Sequence, residues 1–268
     1  MIGFPHAKLN LGLSIVSKRP DGFHNLETIF YPLPLHDVIE MVSSAEDRFI
    51  STGLKVPDNE ADNLVLRAYN LIKKKYPQIS ALEIHLHKAI PIGAGMGGGS
   101  SDAAKMIQLI DRFFGLDIPS GQLLAFALEL GSDCPFFMQS AAAFASGRGE
   151  ILEKVALNLT AYSFLLVHPE THINSAWAFS KIKATSPKYD LRECIQEPIQ
   201  NWVKTLHNDF EQPVFDAYPQ LQKIKNQLYD SGALYASMTG SGSTLYGIFN
   251  KSAFRKIEVE NATQSFIR

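Results

Sequence analysis

From Ala7 the chain alternates: Leu9, Leu11, Leu13 and Ile15 share one face of a period-two segment, while Lys8, Asn10, Gly12 and Ser14 share the other. A strand is predicted here, with Lys8 and Asn10 pointing the same way, off the core. Lys18-Arg19-Pro20-Asp21-Gly22 is a turn by composition, and residues 23–31 read as the second arm of a hairpin. Another strand is predicted over 37–43 and a loop over 57–62, and from Asn63 to Ile72 the apolar residues fall three and four apart, as on an amphipathic helix. Residues 81–89 alternate as a strand, Pro91 breaks it, and glycines at 93, 95, 97, 98 and 99 exclude regular structure. A helix over 101–114 follows, with Ser100 or Ser101 as its predicted N-cap and Asp102 in the first turn, where a carboxylate suits the helix dipole. The next helix, 120–130, ends at Gly131. Beyond Gly147-Arg148-Gly149 a second unit is predicted: a strand over 162–167, helices over 176–182, 191–205 and 220–229, and a strand pair around Met238 and 245–249.

Composition narrows the class. With 268 residues, 46% apolar and 19% charged, the chain can bury one large core or two smaller ones. A net charge of −2 gives no electrostatic footprint for nucleic acid or a membrane surface. Cys134 and Cys194 are too few for a disulfide scaffold or a cysteine-built zinc site, so a reducing, cytoplasmic setting is expected. Lys8 interrupts the first apolar stretch, which lacks the marks of a signal peptide, and no run of about 18 uncharged apolar residues suggests a membrane span.

The glycine segment is the main chemical signal. Almost bare backbone before a helix N-terminus aims amide N–H groups at an anion, and phosphate is the obvious one; a flexible linker or tight turn is the bland alternative. Gly93-x-Gly95-x-x-Gly98 satisfies the dinucleotide pattern, but no acidic residue follows at the end of a next strand, since Asp111 falls in the helix and Asp117 in a link. A Walker A loop fails because Gly99 is followed by Ser100 and Ser101 with no lysine, and a protein-kinase loop fails because its HRD and DFG partners are missing.

The segment Pro91-Ile92-Gly93-Ala94-Gly95-Met96-Gly97-Gly98-Gly99-Ser100-Ser101 resembles the phosphate-binding motif of the GHMP kinases. Ala7-Lys8-Leu9-Asn10-Leu11-Gly12-Leu13, Arg19-Pro20-Asp21-Gly22-Phe23-His24-Asn25-Leu26, Gly131-Ser132-Asp133-Cys134-Pro135-Phe136-Phe137, Asn208-Asp209-Phe210-Glu211 and Met238-Thr239-Gly240-Ser241-Gly242-Ser243-Thr244 resemble, in order, the branch acting on 4-diphosphocytidyl-2-C-methyl-D-erythritol. The resemblance implies an α+β, two-lobed fold with the active site in the cleft. The N-terminal lobe, 1–150, is expected to be ribosomal-protein-S5-domain-2-like and to bind ATP; the C-terminal lobe, 151–268, is expected to be ferredoxin-like. It further implies ATP-dependent phosphorylation of the substrate's 2-hydroxyl in the non-mevalonate isoprenoid route, with Mg²⁺ bridging the ATP phosphates. Only small-molecule partners are expected, with the chain a monomer or weak homodimer.

Carried over by position, Lys8 and Asp133 are the catalytic pair. The neighbouring lysine keeps the aspartate ionised, so that it orients the hydroxyl and takes its proton late while Lys8 stabilises developing charge. Pro91, Gly93, Ala94, Gly95, Met96, Gly97, Gly98, Gly99, Ser100 and Ser101 are expected around the ATP phosphates, with helix capping as the alternative for the serines. Asn63 and Lys88 are expected at the adenine, against an N-cap and an exposed lysine as the plain readings. On the acceptor side, Asn10 lies beside the pair, Phe23 stacks on cytosine and His24 reads its edge. Ser175 occupies a threonine position of the family, Phe179 is the second stacking ring with Trp177 as its rival, and Gly240 approaches the diphosphate or simply turns the chain. Cys134 reads as a small buried thiol rather than a nucleophile, and His85 and His87 lack a third zinc ligand. Two other readings stay open: a mevalonate-type or homoserine-type kinase, which has no use for Gly22-Phe23-His24, and a non-catalytic nucleotide-binding regulator.

Overall fold

The apolar alternation at the N-terminus becomes a single strand of 13 residues, followed by a second of the same length beside it in one sheet, as the hairpin reading expected. In the computed structural model, which describes residues 1–56, 62–251, 259 and 262–267, β1 (Ile2–Gly3) is followed by β2 (His6–Lys18), β3 (His24–His36), β4 (Val38–Ser43) and β5 (Arg48–Gly53). Then come α1 (Leu64–Lys75), β6 (Leu82–Lys88), α2 (Gly98–Phe114), α3 (Ser120–Leu130), α4 (Cys134–Gln139), β7 (Ala143–Ser146) and β8 (Ile151–Lys154). The remainder is β9 (Tyr162–Pro169), α5 (Ser175–Lys181), α6 (Leu191–Cys194), α7 (Glu211–Ala217), α8 (Pro219–Asp230), β10 (Tyr235–Met238), β11 (Leu245–Asn250) and β12 (Ala262–Ile267). The mixed content is the expected α+β class. Of the predicted loop over 57–62, residues 57–61 lie outside the described residues.

Among the described residues the strands form three sheets of four, ordered β1-β4-β6-β5, β2-β3-β7-β8 and β10-β11-β9-β12. Two compact units result, the first made of residues 1–8, 32–92 and 97–141, the second of 9–31, 93–96 and 142–268. They interleave along the chain. In the first unit β6 pairs antiparallel with β4 and parallel with β5. Its core joins Ile39, Met41, Ile84 and Leu86 of the sheet to Val65, Ala68 and Ile72 of α1 and Met106, Ile107 and Ile110 of α2. In the second unit β9 lies between β11 and β12, antiparallel to both. Leu165 and Val167 of β9 pack with Val214, Leu221, Ile224 and Leu228 of α7 and α8.

Several expectations shift. The polar face of β2 is not solvated: Lys8 and Asn10 are both buried, so the strand is covered on both faces. The predicted 191–205 helix breaks in two, because Pro198 has no N–H to donate; α6 stops at Cys194 and a 3₁₀ helix runs from Ile199 to Lys204. Neither Ser100 nor Ser101 caps α2; the N-cap is Gly97 in the left-handed region, φ 69°, and Asp102 lies a full turn in and is buried. The elements not anticipated, among them β1, α4, β7, β8 and α7, have only two to seven residues, too few for periodicity to declare itself. Among the described residues no helix is long and apolar enough to cross a membrane.

Candidate active site

In the first unit, Asp133 stands immediately before α4. It occupies the N-cap position, but its side chain makes no capping hydrogen bond. The carboxylate instead meets the Lys8 ammonium at 3.6 Å, with the lysine side chain 4% and the aspartate 34% exposed. One partner is thus held in the interior and the other can be reached. Burial pushes the Lys8 pKa below the ordinary lysine value, and Asp133 pulls it back.

The end of the glycine segment lies against this pair. Gly97 has a positive φ, and a Cβ there would come within 2.7 Å of Phe137 Cζ and 3.2 Å of Lys8 Cγ. The N–H of Ser101 is donated back to the Gly97 carbonyl, while the amides of Gly98, Gly99 and Ser100, the first three of a helix, have no intrahelical acceptor. These amides and the positive end of a seventeen-residue helix suit a phosphate. Ser100 shares a hydrogen bond with the Cys134 thiol, whose pKa burial pushes up to about 12, so Cys134 is an inert packing group as read from sequence. Ser101 is buried.

The two residues expected at the adenine each have partners within this unit. Asn63 caps α1, its Oδ1 accepting the Val65 N–H at 2.9 Å. Lys88 is neither exposed nor directed outward: it is buried, its ammonium ion-paired with Asp37 and, at 2.7 Å, with Asp102. Pro91 and Ile92 complete this unit's share of the loop.

In the second unit the remaining loop residues have a packing role that sequence alone did not reveal. Ala94 and Met96 are buried. Gly95 (φ +77°) runs so close to the segment after β10 that a Cβ would fall 2.0 Å from the Thr239 carbonyl oxygen. Gly93 (φ +65°) faces the His172 ring at ordinary contact distance. Asn10 belongs to the same knot. Its Nδ2 donates to Thr28 Oγ1 at 3.0 Å, its backbone N–H donates to Thr239 Oγ1 at 3.1 Å, and its carbonyl accepts from the Tyr246 hydroxyl at 2.9 Å. Gly240 (φ +57°) leaves room for a Cβ only 3.1 Å from Gly95 Cα, and its carbonyl accepts from Asn208 Nδ2 at 2.9 Å. Thr28, Asn208 and Thr239 do not stand out in the sequence as site residues, although the last two belong to the Asn208-Asp209-Phe210-Glu211 and Met238 to Thr244 motifs.

Two of the side chains expected at the base, His24 as its edge reader and Phe179 as the second stacking ring, lie against each other. His24 stacks on Phe179 at 5.1 Å between centroids and 18° between planes, and Phe179 meets Phe210 edge-on. Trp177 instead packs edge-on against Tyr218. Phe23 is 52% exposed, with the Arg148 guanidinium 5.0 Å from its ring centroid. Burial lowers the His24 pKa, which favours the neutral ring with one donor and one acceptor edge. Ser175 Oγ lies 2.8 Å from Ser241 Oγ, next to Gly240.

Among the described residues no group of three or more His, Cys, Asp or Glu side chains is arranged to hold a metal ion.

Residues 63–144 match the family described as GHMP kinases N terminal domain, and residues 191–264 match GHMP kinases C terminal. The chain is 48% identical over 251 residues to the 4-diphosphocytidyl-2-C-methyl-D-erythritol kinase of Parabacteroides distasonis, covering 94% of this chain and 92% of that one. It is 43% identical over 251 residues to the like-named enzyme of Cytophaga hutchinsonii, covering 93% of each. A solved 4-(cytidine 5'-diphospho)-2C-methyl-D-erythritol kinase is similar with a TM-score of 0.79 and 29% identity, over 92% of this chain and 90% of that one. The mevalonate kinase of Methanococcus jannaschii, at 14% identity and a TM-score of 0.69 over 94% and 92% of the two chains, shares the fold.

Proposed function

The chain belongs to the GHMP kinases, in the branch of the 4-diphosphocytidyl-2-C-methyl-D-erythritol kinases, and from this we propose that it transfers the γ-phosphoryl group of ATP to the 2-hydroxyl of 4-diphosphocytidyl-2-C-methyl-D-erythritol. The products are the 2-phosphate and ADP, and the reaction serves the non-mevalonate route to isoprenoid precursors. The observation that supports this reading best is the Lys8–Asp133 pair, an ammonium in the interior 3.6 Å from a reachable carboxylate that caps nothing.

Asp133 accepts a hydrogen bond from the substrate hydroxyl and so aims its oxygen at the γ-phosphorus. As the new O–P bond forms and the bond to the ADP oxygen breaks, the hydroxyl proton passes to the carboxylate. Lys8 stabilises the negative charge that develops on the transferring group, and being buried it does so with little screening by water. The amides of Gly98, Gly99 and Ser100 hold the nucleotide phosphates. A Mg²⁺ ion bound with ATP would neutralise part of the phosphate charge beside these amides. Positioning supplies most of the acceleration, as is general for phosphoryl transfer. The family's lobes, 1–150 for ATP and 151–268 for the C-terminal part, and a monomeric or weakly dimeric state complete the proposal.

A coupled ADP-release assay with a panel of alcohols tests it. Turnover is expected with the cytidyl substrate, and turnover of mevalonate or homoserine in its absence would refute the substrate assignment. ATP binding without turnover of any alcohol would make the protein a nucleotide-binding regulator.

Base recognition gives a separate prediction. Stacking contributes about 1–3 kcal/mol and tolerates any base, whereas losing a buried hydrogen-bond partner costs about 1–3 kcal/mol and discriminates. Phe23→Ala should therefore lower kcat/KM alike for the cytidine substrate and its uridine analogue, and His24→Ala should narrow the gap between them. Because His24 stacks on Phe179, its loss also frees that ring, so some loss common to both substrates is expected in addition. An unchanged cytidine-to-uridine ratio in His24→Ala would show that the histidine does not read the base.

A further inference from the structure

Beneath the start of α2, three ionisable side chains share the interior: Asp37, Lys88 and Asp102, all buried. Asp37 Oδ1 accepts the N–H groups of Ala89 at 2.6 Å and Ile90 at 2.8 Å, the residues that lead into the glycine loop. Its Oδ2 takes the Lys88 ammonium, which reaches Asp102 Oδ2 at 2.7 Å in the first turns of the helix that leaves the loop. The ammonium lies against the loop's exit: a Cβ on Gly98 would stand 2.9 Å from Lys88 Nζ. Asp102 Oδ1 is buried with no hydrogen-bond partner among the described residues.

Stability does not account for such a group. Buried ion pairs and triads are commonly matched or bettered by apolar side chains of similar volume, and a carboxylate oxygen left without a partner adds to the cost. What the trio supplies is direction, because each contact fixes a backbone segment at a set distance from the next.

We propose that Asp37, Lys88 and Asp102 are positioning residues of the ATP site, a buried clasp that ties the strand entering the glycine loop to the helix leaving it and so holds the loop amides ready for the phosphates. This rests on reading the loop as the ATP phosphate site. Lys88 thereby acts on the nucleotide from behind the loop.

The test is steady-state kinetics in both substrates, with calorimetric ATP affinity and Tm, on the wild type and three variants. Asp102→Ala opens the clasp, and Asp102→Asn keeps an acceptor oxygen for the Lys88 ammonium. Lys88→Met opens it from the other side while leaving two carboxylates that can share a proton, so one bridge-breaking variant remains should the other not fold. Opening the clasp should raise the ATP KM and Kd by about tenfold or more, with the acceptor KM within about twofold. Asp102→Asn should stay within about threefold of the wild type in ATP KM. An unchanged ATP affinity in a folded bridge-breaking variant overturns the proposal. So do equal rises in both KM values that follow the loss of Tm, since these would mark a merely structural group. If the wild type binds ATP but phosphorylates no alcohol, the kinase reading falls, while calorimetry on the same variants still decides the clasp. A wild type that does not bind ATP overturns both.

Discussion

Lys8→Met lowers kcat by about 10²–10⁴ with little change in the ATP KM or in Tm, the loss expected for a positioned catalytic group. Methionine is the sharper choice over alanine because the lysine stem also packs: Cγ lies 3.2 Å from where a Cβ on Gly97 would stand. Lys8→Ala would remove that contact together with the charge, whereas methionine keeps the stem and removes only the ammonium. Asp133→Ala should fall in the same range, and because its carboxylate caps no helix and is a third exposed, it should cost little stability. The double variant should be hardly worse than either single one, since two groups that act as a unit are not additive. Pre-steady-state phosphoryl transfer, measured with saturating ATP, separates this from slow product release. Wild-type turnover in folded Lys8→Met would remove the lysine from the mechanism, and the reaction would then rest on Asp133 and the loop amides.

The pair was legible through the resemblance and not through local pattern: alternation put Lys8 on the polar face of its strand, and the short helix that Asp133 precedes was not anticipated. The burial of Lys88 was legible too, by parity. Leu82, Ile84, Leu86 and Lys88 fall on one face of β6, and the first three are core residues. Asp37 stands in the same parity as the buried Ile39 and Met41, and Asp102 precedes the buried Met106 and Leu109 by four and seven residues, on one side of α2. Three charged residues on three apolar faces form a pattern that composition hides. What no local pattern could supply is the knot of Asn10, Gly95, Thr239 and Gly240, because it joins residues up to 229 positions apart. The glycine cluster misled for the same reason. All five glycines looked like one phosphate device, yet Gly95 is required by the Thr239 carbonyl and Gly98 by Lys88 and Ile90, so backbone close packing explains part of the cluster that ligand binding was expected to explain whole.

Gly97 is the loop glycine where both demands meet, and Gly97→Val should have the largest effect on nucleotide binding. Its φ of +69° is costly for any side chain and worst for a β-branched one. The new Cβ would stand 2.7 Å from Cζ of Phe137, a buried ring that cannot swing aside as the end of a flexible chain could. Either the ring or the start of α2 must move, and moving the latter turns the amides of Gly98, Gly99 and Ser100 away from the phosphates. The ATP KM should rise by about a hundredfold or more, and the increase in Tm that saturating ATP gives the wild type should be largely lost. Because Lys8 Cγ is the next neighbour at 3.2 Å, kcat should fall as well. A double-mutant cycle isolates the cause. Phe137→Ala makes room at the ring's edge, so Gly97→Ala should cost less ATP affinity in that background than in the wild type, a positive coupling between the two sites. Strict additivity, with both variants folded, would mean that the backbone angle alone is responsible, and a wild-type ATP titration for Gly97→Val would mean that this turn does not hold the phosphates.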